Sequence, residues 1–249
     1  MNDPLKPSPH LSPDQMFSQV MGYPAYKLNL SQDLLGAADP AALLTPLHQG
    51  KTFAYAKVEV TDWTACRFLS QQGFALVDTS TTFDKAIQSG QQVTGNSSLR
   101  FADLDDQNST VRVARTSFRF SRFHQDPLFP PALADEIKAA WAGNYFRGQR
   151  GQAMVLAFIN GQLAGFLQLL YKANPDGGQD MVIDLIAVDE NYRRRSVARD
   201  LIVYAESECP PDQNVYVSTQ LANIPSMRLY EGLGFRMHSA QHVYHFHHA

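Results

Sequence analysis

Three consecutive arginines, Arg193, Arg194 and Arg195, separate an apolar β-rich run, Met181–Val188, from an amphipathic segment. That segment begins near Ser196 and places Val197, Leu201, Ile202 and Ala205 on one helical face. A strand, a basic turn and a helix N-terminus together bind phosphate. The first backbone N–H groups of a helix have no intrahelical partner, the helix dipole favours negative charge there, and the guanidinium groups add to both effects. The small residues Ser196 and Ala198 leave room for close approach of a ligand to the backbone, so the expected ligand is a phosphorylated cofactor. Asn223 and Tyr230 lie seven apart in LANIPSMRLYEGLGF, near one face of a short helix that Asn223 caps. The run Phe118–Pro127 (FRFSRFHQDP) alternates aromatics with Arg119 and Arg122 and ends in His124 and Asp126. It reads equally as a helix start packed by phenylalanines and capped by Ser121, or as a segment whose Arg122 and His124 meet a phosphate, nucleobase or sugar.

The elements that must position these groups follow from periodicity. Phe53–Val60 alternates as a strand; Asp62 caps a helix to about Gln72; Gly73 ends it, and Phe74–Val77 begins a strand. Val111–Arg115 is expected as a strand, followed by a helical region to about Arg147. Asn160-Gly161 between the apolar runs Ala153–Ile159 and Gln162–Tyr171 signals a type I′ hairpin. A polar loop, Asn174–Asp180, leads to the strand at 181–188. Asn214–Thr219 is a further strand, a helix ends at Gly234, and two strands are expected to finish the chain. The tail Gln241–Ala249 (QHVYHFHHA) reads as an edge strand with solvent-facing histidines; with no acid or cysteine in its neighbourhood, no metal site is expected. The domain reading is an arm over 1–20, a small α/β unit over 21–88, a polar linker over 89–109 and a larger domain over 110–249. The spacing Asp62-Cys66-Arg67-Phe68-Leu69-Gly73-Phe74 also matches Asn223-Met227-Arg228-Leu229-Tyr230-Gly234-Phe235. This is either the ordinary likeness of two capped helices before strands or a sign that the first unit copies half of the second domain.

Composition narrows the class. An apolar content of 44% in 249 residues supports a sizeable core. A net charge of −3 and a pI of about 6.2 argue against broad nucleic-acid binding. Cys66 and Cys209 are the two cysteines, outside any metal or redox spacing, which suits a reducing cytoplasm. The polar, proline-rich start is unlike a signal peptide, and the longest apolar stretch is interrupted at Asn160-Gly161-Gln162, so no membrane span is expected.

NYRRRSVARDLI resembles the acetyl-CoA loop, Gln/Arg-x-x-Gly-x-Gly/Ala, of the GCN5-related N-acetyltransferases (GNATs), and LANIPSMRLYEGLGF resembles their Asn-x-x-Ala-x-x-x-Tyr-x-x-x-Gly-Phe pattern. Arg193 and Ala198 take the outer loop positions, and Ser196 replaces the usual glycine, which serine fits if the backbone there keeps φ below zero. The resemblance covers roughly residues 110–247. It implies an α/β (α+β) GNAT fold, a mixed, mostly antiparallel sheet flanked by helices, preceded by a smaller N-terminal α/β unit resembling half a GNAT fold. It implies acetyl-CoA held by Ile186, Ala187 and Val188, by Arg193, Arg194, Arg195, Ser196, Val197 and Ala198, and by Asn223 and Tyr230. One N–H of the 181–188 strand would polarise the acetyl carbonyl, and Tyr230 would protonate the leaving thiolate, against the plain alternative of a packed helix tyrosine. The amine needs a base; Asp184 and Asp78 are the candidates, each equally readable as a strand carboxylate in an ion pair.

SFRFSRFHQDP, AAWAGNYFRG and VSTQLANIPSMRLYEGLGF, with the N-terminal unit, are similar to the TDP-fucosamine acetyltransferase branch. That likeness implies a nucleotide-linked amino-deoxysugar as acceptor, Arg122, His124, Asp126 and Gln220 as its contacts, and direct attack without a covalent enzyme intermediate. A homodimer is the default assembly for such a fold. A protein amine or another small amine is the alternative acceptor, and a CoA-sensing module without catalysis is the alternative function.

Overall fold

The computed structural model describes residues 10–87, 92–175, 177–208 and 213–249. Part of the expected arm (1–9), the start of the expected linker (89–91), Asp176 of the polar loop and Cys209 lie outside the described residues.

The first half of the chain forms β1 (Leu11–Pro13), α1 (Gln15–Met21), β2 (Ala25–Leu28), α2 (Gln32–Leu35), α3 (Pro40–Leu43), β3 (Thr52–Glu59), α4 (Trp63–Gln71) and β4 (Ala75–Ala86). Asp14 caps α1 by accepting from the Phe17 N–H, Phe17 and Met21 are buried, and β1 pairs with β2 at the end of the sheet. The second half forms β5 (Ser98–Phe101), α5 (Gln107–Ser117), α6 (Arg122–Gln125), α7 (Pro131–Phe146), β6 (Ala153–Ile159), β7 (Gln162–Ala173), β8 (Gln179–Val188), α8 (Val197–Ser207), β9 (Asn214–Gln220), α9 (Ile224–Gly232) and β10 (Arg236–His248). Asn160 (φ 51°) and Gly161 (φ 76°) make the expected tight hairpin between β6 and β7.

Two expected elements are corrected. Val111–Arg115 is helical, inside α5, because Thr110, Val113 and Ala114 bury one face at three- and four-residue spacing. The chain ends in one long strand, not two, because β10 finds partners along both edges.

Among the described residues the ten strands form one sheet in the order β1-β2-β3-β10-β4-β9-β8-β7-β6-β5. The halves exchange strands: β10, from the end of the chain, lies between β3 and β4, and β4, from the first half, lies between β10 and β9. The repeated sequence spacing has matching geometry. Asp62 accepts from the Ala65 N–H and Asn223 from the Ser226 N–H; Gly73 and Gly234 take φ 83° and 87°; the Phe74 and Phe235 N–H groups bond the carbonyls of Leu69 and Tyr230. The parallel pair β2–β3 stands to β10 as the parallel pair β8–β9 stands to β4, so the first half is built as part of a second copy of the same sheet. One core cluster joins β7, β8 and β9 to α8 and α9, another fills the first half, and a third lies under α5 and α7.

Candidate active site

β8 and β9 run parallel but pair only from Met181–Val215 to Ile183–Val217, whereas β4 follows β9 as far as Ser80–Gln220. Past Ile183 the two strands part, and a cleft of about 1470 Å³ opens there. A bulge on β8 leaves Asp184 unmatched between the Leu185–Gln168 and Ile183–Leu169 pairs, and one on β4 leaves Val77 unmatched beside Asp78. Bulges re-aim neighbouring side chains, and both carboxylates line the cleft.

At the basic turn, Ile186, Ala187, Val188, Arg193, Arg194, Ser196, Val197 and Ala198 all line the cleft. Arg195 does not; its guanidinium lies 5.7 Å from the Tyr192 ring. Arg193 donates to the carbonyls of Val188 (3.3 Å) and Ser117 (2.9 Å), tying the turn to α5. Arg194 and Ser196 adopt φ 60° and 63°, so the condition under which serine fits, φ below zero, is not met: the turn demands a left-handed residue, as a glycine would supply, and the serine is strained in it. The Ser196 hydroxyl makes no capping bond, which leaves the N-terminal amides of α8 open to a ligand. A splayed strand pair, an uncapped helix N-terminus and basic side chains fit an elongated, phosphorylated ligand.

Tyr230 is 2% exposed, packed beside Phe83 and Phe235, and burial pushes its phenol well above the ordinary tyrosine range. It therefore holds its proton at any physiological pH and is a donor. Asn223 is both a cap and a cleft residue: its Oδ1 accepts from the Ser226 N–H and its Nδ2 donates to Thr219 Oγ1 at 3.1 Å. Gln220 lines the cleft at the end of β9.

The two carboxylates differ. Asp184 accepts from Arg150 through both oxygens and from Trp141 Nε1 and Gln168 Nε2, each at 3.0 Å. Four donors occupy it, which makes it an anchor and not a free base. Asp78 accepts at Oδ1 from the Thr79 N–H (2.7 Å), while its Oδ2 is buried with no hydrogen-bond partner among the described residues. Burial raises its pKa to about 6, against the pull of the Thr79 N–H and of Lys57 and Arg122. Of the two carboxylates, Asp78 is the one with an unpartnered oxygen and so the one able to accept a proton.

Arg122 lies in the cleft wall, its guanidinium 4.0 Å from the Tyr55 ring centre. His124 and Asp126, expected beside it, do not line the cleft. His124 bonds Ser121 (2.6 Å) and Asp135 (3.1 Å). Asp126 accepts from His245 Nδ1 (2.7 Å) and His247 Nε2 (2.8 Å). The reading of the tail is corrected on three counts: β10 is an interior strand, His245 is 1% exposed, and an acid does meet the histidines. Sequence spacing could not reveal this, because Asp126 and His245 are over a hundred residues apart. Also missed were Lys57, Lys138, Arg150, Trp141, Tyr55 and Asp14, all cleft-lining. Lys57 on its strand and Lys138 on its helix carry no sequence signal distinguishing them from lysines on solvated faces.

A sequence profile of the Acetyltransferase (GNAT) family matches residues 116–235. Over 142 residues the chain is 31% identical to the spore coat polysaccharide biosynthesis protein SpsD of Bacillus subtilis (strain 168), a match that covers 56% of this chain and 47% of that protein. The chain thus spans about half the length of this curated relative. Among solved structures, a GCN5-related N-acetyltransferase from Sphaerobacter thermophilus superposes with a TM-score of 0.60 at 14% identity, covering 90% of this chain and 72% of that one. A tandem GNAT protein from the clavulanic acid biosynthesis pathway superposes with a TM-score of 0.58 at 14% identity, covering 90% and 75%. At such identities the structures speak for the fold. The profile match identifies residues 116–235 as a domain of the acetyltransferase (GNAT) family, and the splayed strands and the left-handed turn before α8 both fall within or beside it.

Proposed function

We propose that this chain transfers an acetyl group from acetyl-CoA to the amino group of a nucleotide-linked amino-deoxysugar, by direct attack in a ternary complex in the cytoplasm. The observation that carries the reading is the pairing, in one cleft, of a base with a free buried oxygen, Asp78, and a buried phenol that keeps its proton, Tyr230. Acetyl-CoA, when bound, supplies an acetyl thioester. The N-terminal amides of α8 with Arg194 hold its phosphates, and the unpaired stretch of β8 from Ile186 to Val188 lies along its arm. Asp78 Oδ2 takes the proton from the acceptor's ammonium; Tyr230 Oη offers one on the leaving side. Direct attack is favoured because Cys66 is packed in the core of the first half and is not among the cleft residues. The sugar assignment is supported by the likeness to SpsD, whose name places it in polysaccharide biosynthesis.

The test is thiol release from acetyl-CoA against a panel of amines that includes TDP-4-amino-4,6-dideoxyhexoses. Turnover confined to the nucleotide sugars supports the assignment. Turnover with peptides or simple amines instead keeps the transferase and removes the sugar, and bound acetyl-CoA with no turnover on any amine favours the sensing module.

A further inference from the structure

The cleft wall formed by β3, β4, α6 and α7 holds more buried positive charge than the protein neutralises. Arg122 is 9% exposed and stacked among the rings of Tyr55, Phe123 and Phe17, at 4.0, 4.7 and 5.5 Å, with its Nη1 buried and unpartnered among the described residues. Lys138 is equally buried, its ammonium 4.7 Å from the Phe118 ring and 4.8 Å from that of Trp141, with no hydrogen bond or ion pair among the described residues. Lys57, exposed on the cleft side of β3, adds a third cation to the two buried ones.

The acids nearby are mostly engaged. Asp184 is held by Arg150, Trp141 and Gln168; Asp14 caps α1 and accepts from the Tyr55 hydroxyl at 3.1 Å. Among the described acids of this wall, Asp78 alone retains an unpartnered oxygen, and it is the proposed base. Desolvation and mutual repulsion with Arg122 press Lys138 down to about 7 and Lys57 to about 8. Cations taken from water and left without counter-charge are unfavourable unless a ligand completes them, and such groups collect at functional sites.

We infer that Arg122, Lys138 and Lys57 form an oxyanion subsite that takes a phosphoryl group, in its fullest form a diphosphate, carried by the amine acceptor. The inference rests on the reading of this cleft as the acceptor site. It makes the acceptor a molecule of two charges, an ammonium for Asp78 and a phosphate for the three cations. Aromatic rings around Arg122 and Lys138 keep water away and strengthen the attraction.

Calorimetric titration of the full chain with inorganic pyrophosphate, with saturating coenzyme A present to occupy the basic turn, tests this, using wild type, Lys138→Met, Arg122→Gln and, as a control at that turn, Arg194→Ala. The expected result is binding to wild type that weakens about tenfold or more in the first two variants, the loss typical of a charge-assisted contact, and changes little in the third. Lys138→Met should melt no lower than wild type, since it replaces a desolvated ammonium by an apolar chain, so its loss of binding does not report unfolding. No binding to wild type, binding indifferent to Lys138→Met and Arg122→Gln, or binding abolished by Arg194→Ala alone overturns the subsite. If pyrophosphate binds as expected but no amine is acetylated, the transfer reading falls and the subsite stands. If an amino sugar is acetylated and neither variant raises its KM, the subsite falls and the transfer stands.

Discussion

At the residue scale burial raises the pKa of two cleft groups, yet they stand in opposite protonation states at neutral pH because they start from different ordinary values. The Tyr230 phenol sits among Phe83 and Phe235 and stays neutral; the Asp78 carboxyl is raised to about 6 and is mostly ionised at neutral pH. Tyr230→Phe should lower kcat by about 100-fold, within the range of a lost general acid, and leave the KM for acetyl-CoA nearly unchanged; a variant with wild-type kcat would remove Tyr230 from the chemistry. Asp78 requires its deprotonated form, so kcat/KM should rise with pH up to about 6 and flatten above it, and Asp78→Asn should abolish that limb. Stability moves the other way. The folded pKa is raised above the unfolded value, so ionisation destabilises the fold progressively as pH climbs from about 4 to about 6. Asp78→Asn should therefore melt higher than wild type at pH 7 and equally at pH 3.5.

At the element scale the turn before α8 and the last strand carry testable strain and pairing. Ser196 at φ 63° holds a conformation that penalises a Cβ by about 1–2 kcal/mol, while glycine loses up to about 1 kcal/mol more chain entropy on folding. Ser196→Gly should thus raise stability by about 0.5–1 kcal/mol, read from the urea midpoint, with no helix cap lost because the hydroxyl makes no capping bond. β10 is pinned to the loop after α6 by Asp126. Burial works to raise that carboxyl, but the hydrogen bonds from His245 and His247 outweigh it and hold the group well below the usual range. His245, buried, is lowered to about 4 and so stays neutral at pH 7. Its depressed pKa means stability is lost as pH falls from about 6.5 through about 4, when the imidazole must take up a buried charge. Asp126→Ala should cost about 3 kcal/mol, the loss of a buried partner for two imidazoles; thermal melts at pH 7 would show it.

At the scale of the whole molecule the two halves cannot be parted cleanly. β4 closes the edge of β9, and β10 closes the edge of β3 while also pairing with β4. A fragment starting at residue 92 would leave β9 unpaired on one side and β10 unpaired on both, long edges that invite aggregation. It should be insoluble or molten when expressed alone and recover when residues 1–91 are supplied in trans, as judged by co-purification. The same exchange puts Asp78 and Lys57, both from the first half, into a cleft whose basic turn and phenol come from the second.

The sequence by itself determined whatever depends on neighbours along the chain. The Asn160-Gly161 hairpin, the strand–turn–helix around Arg193–Ala198, the paired Asn223 and Tyr230, and the repeated cap-to-Gly-Phe spacing were all legible because each is set within about a dozen residues by periodicity and turn chemistry. Val111–Arg115 is ambiguous in the sequence because a short apolar run fits strand and helix alike, and burial on one face decides for helix. Long-range pairing was illegible for a different reason. That β10 is interior, that Asp126 meets His245 and His247, that Asp184 is locked by Arg150 while Asp78 keeps a free oxygen, and that Lys57 and Lys138 are cleft residues all depend on which strands become neighbours. Strand order is fixed by the burial of whole sheet faces, and only the folded sheet brings those distant residues within reach of one another.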